Sequence, residues 1–141
     1  MRKALVPVDG SSNSDRAVSH AAALAGINPA MEIVLLNVQP PADDWEVRSF
    51  LKKEEIEAME EIRGGDALQS ARTLLDAAKA RYTPLVLIGP IAETIARTAL
   101  EQNCDGIVMG TRGLGAAASV LLGSVASKVI HLADVPVTLV K

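Results

Sequence analysis

Apolar positions along this chain follow two periods in turn, and that alternation predicts the architecture before any motif is considered. Five short runs are continuously apolar and rich in branched residues: Ala4 to Val8, Glu32 to Val38, Leu85 to Ile88, Gly106 to Met109 and Val135 to Val140. Unbroken apolarity predicts strands covered on both faces. Between the runs the period lengthens to that of a helix. Asn13 to Gly26 gathers Ala17, Ala21 and Leu24 on one side and meets a glycine suited to a helix stop. Asp66 to Arg81 does the same with Leu68, Ala71, Leu75 and Ala78, and Ser124 to Ala133 with Val125, Ala126, Val129, Ile130 and Ala133. In Ile91 to Gln102, Ala92, Ile95, Ala96 and Ala99 face inward while Glu93, Arg97 and Glu101 form an outward ladder.

Strands and helices alternating in this way predict an α/β protein with an open five-stranded parallel sheet and helices on both faces. The length of 141 residues suits a single domain over 1–141. Residues 39–65 interrupt the rhythm as a variable loop and helix segment. Pro40-Pro41 and Asp43-Asp44 open a loop, an acidic helix is expected over Leu51 to Ile62, and Gly64-Gly65 is expected to end it.

Composition removes several functions. The chain is 49% hydrophobic but only 2% aromatic, which leaves little for stacking nucleobases along a strand. A formal net charge of −3 opposes the basic face that nucleic acid requires, so no nucleic-acid partner is expected. Cys104 is alone and His20 and His131 are scattered, giving neither a disulfide nor a metal spacing. The apolar stretch behind Met1-Arg2-Lys3 stops at Asp9, short of the ~7 to 15 residues of a secretion signal, and no run approaches the ~18 of a membrane span. A soluble, cytoplasmic protein is expected. Both histidines read as surface or boundary residues, Cys104 as a small buried one, and Lys52 to Glu55 as a solvated helical face. Trp45 and Phe50 suit an interface, a lid or plain packing.

The candidate chemistry sits at strand ends. Gly110-Thr111-Arg112-Gly113 directly follows Ile107-Val108-Met109, and Gly123-Ser124 opens the next helix. Glycines let backbone N–H groups approach an anion, and a helix N-terminus favours the same charge. Asp9, with Gly10-Ser11-Ser12, lies just past the first strand. With strand order 3-2-1-4-5, Asp9 and Gly110 face each other across a switch point, where ligands bind. No Lys follows the glycines, so a Walker A loop is excluded. Gly113-Leu114-Gly115 imitates a dinucleotide fingerprint, but that motif belongs after the first strand. Tight turns and a helix cap at Asp9-Gly10-Ser11 remain the plain alternative.

The pattern Gly-x2-Gly-x9-Gly-Ser, read with Val6-Pro7-Val8-Asp9-Gly10-Ser11 and with Pro136-Val137 near the end, resembles the universal stress protein family from Lys3 to Lys141. Gly89 to Ile95 and Asp105 to Gly110 are similar to its third and fourth strand regions. The resemblance implies the branch that keeps the glycine motif and binds ATP or another adenine nucleotide, with Mg²⁺ or Mn²⁺ as its accompanying ion. It implies that Pro7 and Val8 flank adenine, that Val38 bonds it through the backbone, and that Asp9 binds ribose with Met109 and Gly110 alongside. Arg112, Gly113, Gly123, Ser124 and the Val125 N–H would hold phosphates. The family's second strand commonly ends His-Val. Here it ends Asn37-Val38, a departure of little weight for a backbone contact. Leu114 to Leu122 carries no basic residue, leaving Arg112 and Lys128 as the nearby cations and a weak grip on a γ-phosphate.

Three functions follow: a nucleotide-binding stress or regulatory protein, a slow ATPase or phosphotransferase, and a nucleotide-independent interaction scaffold. Phosphoryl transfer needs an oriented water and charge stabilisation. Arg112 offers the second but no base is evident, so no catalytic residue is assigned and turnover is expected to be weak or absent. The resemblance also implies a homodimer through Val137 to Val140, an apolar strand that would end the sheet with an open edge.

Overall fold

The computed structural model describes residues 1–41, 52–114, 119 and 121–141. Its elements run β1 Lys3–Pro7, α1 Ser12–Ile27, β2 Glu32–Gln39, α2 Lys53–Ala77, β3 Arg81–Ile88, α3 Ile91–Glu101, β4 Gly106–Gly110, α4 Ser124–Leu132 and β5 Val137–Val140. The sheet is parallel throughout, ordered β3-β2-β1-β4-β5 as the sequence predicts.

The unbroken apolarity of the strands has a direct cause in the two cores. Ala4, Val6, Ile33, Leu35 and Val108 point to one face and pack with Ala17, Val18 and Ala21 of α1 and Leu68, Ala71 and Leu75 of α2. Their neighbours Leu5, Val34, Leu36, Ile107 and Met109 point to the other, against Ala92, Ile95 and Ala99 of α3 and Ala126 and Val129 of α4. Because side chains alternate along a strand, a sheet covered on both faces needs apolar residues at every position.

Two expectations are corrected. Gly64-Gly65 does not end a helix, since α2 runs continuously through both. A Cβ at Gly64 would strike Val86 of β3 and crowd Asn37 of β2, so glycine here lets the helix lie close on the sheet. That packing outweighs the ~1 kcal/mol helix penalty of glycine. The second correction concerns β3, expected from Leu85 but beginning at Arg81 and pairing with β2 along its whole length. Arg81, Thr83 and Pro84 hid it, and all three are exposed on an edge strand, where proline is tolerated. The preceding helix accordingly stops at Ala77 instead of Arg81. Lys79, with φ of 54°, turns the chain while the Ala80 N–H donates to the Leu75 carbonyl at 3.0 Å, a Schellman stop made without glycine. Trp45, Phe50 and the loop at Asp43-Asp44 lie outside the described residues.

The two glycines of α2 give opposite expectations. Gly64→Ala should destabilise the protein by about 1–3 kcal/mol in urea unfolding, through overpacking against Val86. Gly65→Ala, where an added Cβ meets nothing within 4 Å, should stabilise by about 0.5–1 kcal/mol.

Candidate functional site

The chain leaves β1 toward β2 on one side and β4 toward β5 on the other, so the segments following β1 and β4 diverge at the strands' carboxyl ends. Between them lies a cavity of about 660 Å³. It is lined by Pro7, Val8 and Asp9 beyond β1, Val38 of β2, Met109, Gly110, Arg112 and Gly113 at the end of β4, and Gly123, Ser124 and Val125 at the start of α4. These are all the residues that the sequence marks as candidate ligand contacts.

Asp9 joins the two sides. Its Oδ1 accepts from the Ser11 N–H at 2.9 Å and its Oδ2 from the Leu114 N–H at 2.9 Å, more than a hundred residues away in sequence. Ser11 is also the N-cap of α1, accepting from the Ser14 N–H at 3.1 Å, and the Asp9 N–H reaches Ser14 Oγ at 3.4 Å. Burial pushes the Asp9 carboxyl up from its ordinary 3.8. The hydrogen bonds from the Ser11 hydroxyl and N–H, the Leu114 N–H and Ser14 outweigh burial and hold it below that value. Asp9 is thus an anion, half-buried and held in orientation.

The glycine loop is fixed at both ends. Asn13, in the first turn of α1 and 6% exposed, accepts the Arg112 N–H on Oδ1 at 2.9 Å. A side chain at Gly110 would collide with this amide, and one at Gly113 with Asp9 Oδ2, which explains both glycines by close approach. The Gly123 N–H closes the loop on the Thr111 carbonyl at 2.6 Å. No side chain caps α4, so its first N–H groups lie at the cavity with the positive end of the helix dipole.

Several wall residues escaped the sequence reading. Ser14, Ile91 and Ile95 line the cavity, and so do Asn37 and Gln39. The Asn37 side chain, 3% exposed, donates from Nδ2 to the Val8 carbonyl at 2.8 Å and accepts on Oδ1 from Gln39 Nε2 at 2.7 Å. The spacing Ser11-x-x-Ser14 and the start of α3 at the carboxyl end of β3 were available signals. Nothing in the sequence marks the tertiary bonds of Asn13 or Asn37. One expected cation moves away: Lys128 pairs with Glu93 of α3 and is absent from the cavity wall, leaving Arg112 as the basic residue among the described lining. His20 and His131 are exposed, and Cys104 is buried, which raises its thiol pKa. Among the described residues no group of three or more His, Cys, Asp or Glu could hold a metal, and no helix is long and apolar enough to cross a membrane.

A switch-point crevice lined by a fixed carboxylate, a clamped glycine loop and a bare helix N-terminus defines the class, a parallel α/β protein with the crevice at which such folds bind ligands. The family model described as the universal stress protein family matches residues 1–141, and the chain belongs to that family. A universal stress protein of Thermus aquaticus is 34% identical over 140 residues, covering 97% of this chain and 96% of the relative. The solved structure of protein MJ0577 of Methanocaldococcus jannaschii superposes with a TM-score of 0.83 at 26% identity, covering 99% of this chain and 95% of that one. The universal stress protein of Archaeoglobus fulgidus in complex with dAMP shares the fold, with a TM-score of 0.72 at 23% identity over 100% of this chain and 98% of that one.

The depressed pKa of Asp9 fixes the sign of a pH effect. The folded state favours the carboxylate, so its contribution is present above the unfolded value and fades as pH falls through the folded one. Asp9→Asn should cost about 1–3 kcal/mol at neutral pH. Urea unfolding at successive pH values should show the gap between wild type and variant closing below pH ~4.

Proposed function

We propose that this chain is an adenine-nucleotide-binding stress or regulatory protein that acts as a homodimer. The observation that carries the nucleotide reading is the Asp9 carboxylate, bonded to Ser11 and Leu114 in the wall of a cavity that an uncapped helix N-terminus also lines. In this reading Pro7 and Val8 flank adenine, Val38 meets it through the backbone, and Asp9 takes ribose hydroxyls beside Met109 and Gly110. Arg112, Gly113, Gly123, Ser124 and the Val125 N–H receive the phosphates. Mg²⁺ or Mn²⁺ would enter as the counter-ion of those phosphates. The dAMP complex of the Archaeoglobus fulgidus protein supports an adenine nucleotide as the ligand class.

With Lys128 paired to Glu93, a third phosphate gains little. Calorimetry should therefore give ATP, ADP and AMP affinities within about tenfold of one another. Gly123→Val should abolish all three, because a Cβ there sits 3.3 Å from both the Thr111 carbonyl and the Arg112 Cα. A freshly purified chain without nucleotide in native mass spectrometry that also ignores added AMP and ATP would sink the reading.

The dimer reading rests on β5. The Ile107 N–H donates to the Pro136 carbonyl at 2.9 Å and the Thr111 N–H to the Val140 carbonyl at 3.1 Å. By the two-residue period of a strand, the backbone groups of Val137 and Leu139 then point away from β4. They form an open edge of the sheet. Leu139→Pro removes an outward N–H and keeps the bonds to β4. Light scattering should show a dimer for the wild type and a monomer for Leu139→Pro; a wild-type monomer at micromolar concentration would refute it.

A further inference from the structure

The side chains at the end of β2 form a chain of hydrogen bonds whose polarity is set from one end. The Val8 carbonyl can only accept, so Asn37 must turn its Nδ2 toward it, and does so at 2.8 Å. This leaves Asn37 Oδ1 as an acceptor. Gln39 must therefore offer Nε2, which lies 2.7 Å away. The consequence falls on the other end of the Gln39 amide, where Oε1 is left as an acceptor on a residue of the cavity wall. Among the described residues no hydrogen bond is donated to it.

The arrangement is rigid where rigidity matters. Asn37 is 3% exposed, pressed between β1 and the close approach of α2 at Gly64, whose added Cβ would lie 3.1 Å from Asn37 Oδ1. The Gln39 backbone is tied to β3 by its carbonyl, which accepts from the Gly89 N–H at 3.0 Å. Rotating the Gln39 amide would set an oxygen against Asn37 Oδ1, so its orientation cannot invert without losing the bond. Gln39 and Val38 are adjacent at the cavity wall beside Val8.

We propose that Gln39, held in orientation by Asn37, is the specificity-determining residue for the base and selects a 6-aminopurine over a 6-oxopurine. This rests on the nucleotide reading above and adds a cause for its base preference. A 6-amino group donates to Gln39 Oε1. A 6-oxo group opposes one acceptor with another and leaves both unpaired, the mismatch against which a polar site discriminates most strongly.

Calorimetry with AMP and IMP on the full chain tests this, with melting temperatures recorded for each variant. The wild type should prefer AMP by about tenfold or more. Gln39→Leu should bring that ratio close to one, chiefly by weakening AMP. Asn37→Leu, which frees the Gln39 amide to turn, should also lower it. A purely structural role would change both affinities by one factor, so a ratio preserved in Gln39→Leu overturns the inference while leaving nucleotide binding intact. A wild type that binds neither nucleotide overturns both readings together.

Discussion

One carboxylate connects the two halves of this molecule. The sheet brings the ends of β1 and β4 side by side, but sheet pairing stops before the segments that form the cavity. What joins them there is Asp9, which takes an N–H from its own turn at Ser11 and another from Leu114 beyond the glycine loop. Hydrogen bonds to an ionised acceptor are about twice as strong as neutral ones, and a half-buried anion with fixed donors cannot reorient cheaply. The geometry of the site therefore depends on the charge state of Asp9, with the neutral bond from the Arg112 N–H to Asn13 beside it.

The first turn of α1 performs two tasks with the same groups. Ser11 caps the helix and also orients Asp9, while Asn13 holds Arg112. Helix initiation and site construction are thus one set of bonds, and neither can be altered alone. A cost remains visible: Asn13 Nδ2 is buried with no hydrogen-bond partner among the described residues, an omission that typically costs about 1–3 kcal/mol. Such a deficit persists where the surrounding contacts over-determine a conformation, as Gly110, Arg112 and the body of α1 do here.

What the sequence reveals divides along the same physical line. Strand order and the two-sided core were legible because burial on both faces leaves a continuous apolar signal, as in Leu5-Val6 and Val34-Leu35-Leu36. The candidate ligand residues were legible where glycine, aspartate and strand ends coincide, and all of them meet in one cavity. Edges and close approaches were not. Arg81, Thr83 and Pro84 look unlike a strand because half of an edge strand faces water, and Gly64 looks like a stop because its use is a contact with Val86 distant in sequence. Lys128 was misplaced for a related reason, since its partner Glu93 belongs to another helix. Asn37 and Gln39 are silent in sequence because their meaning lies in which amide end faces which neighbour.

The bond between the Gly123 N–H and the Thr111 carbonyl closes the glycine loop at its root. In polymer terms it fixes the end-to-end distance of the segment between them. Once a loop's ends are pinned, doubling its length costs only about 0.6 kcal/mol of closure entropy. Arg112 and Leu114 stay tied to Asn13 and Asp9, so folding constrains these residues, while the pinned root makes added chain length between Leu114 and Gly123 cheap.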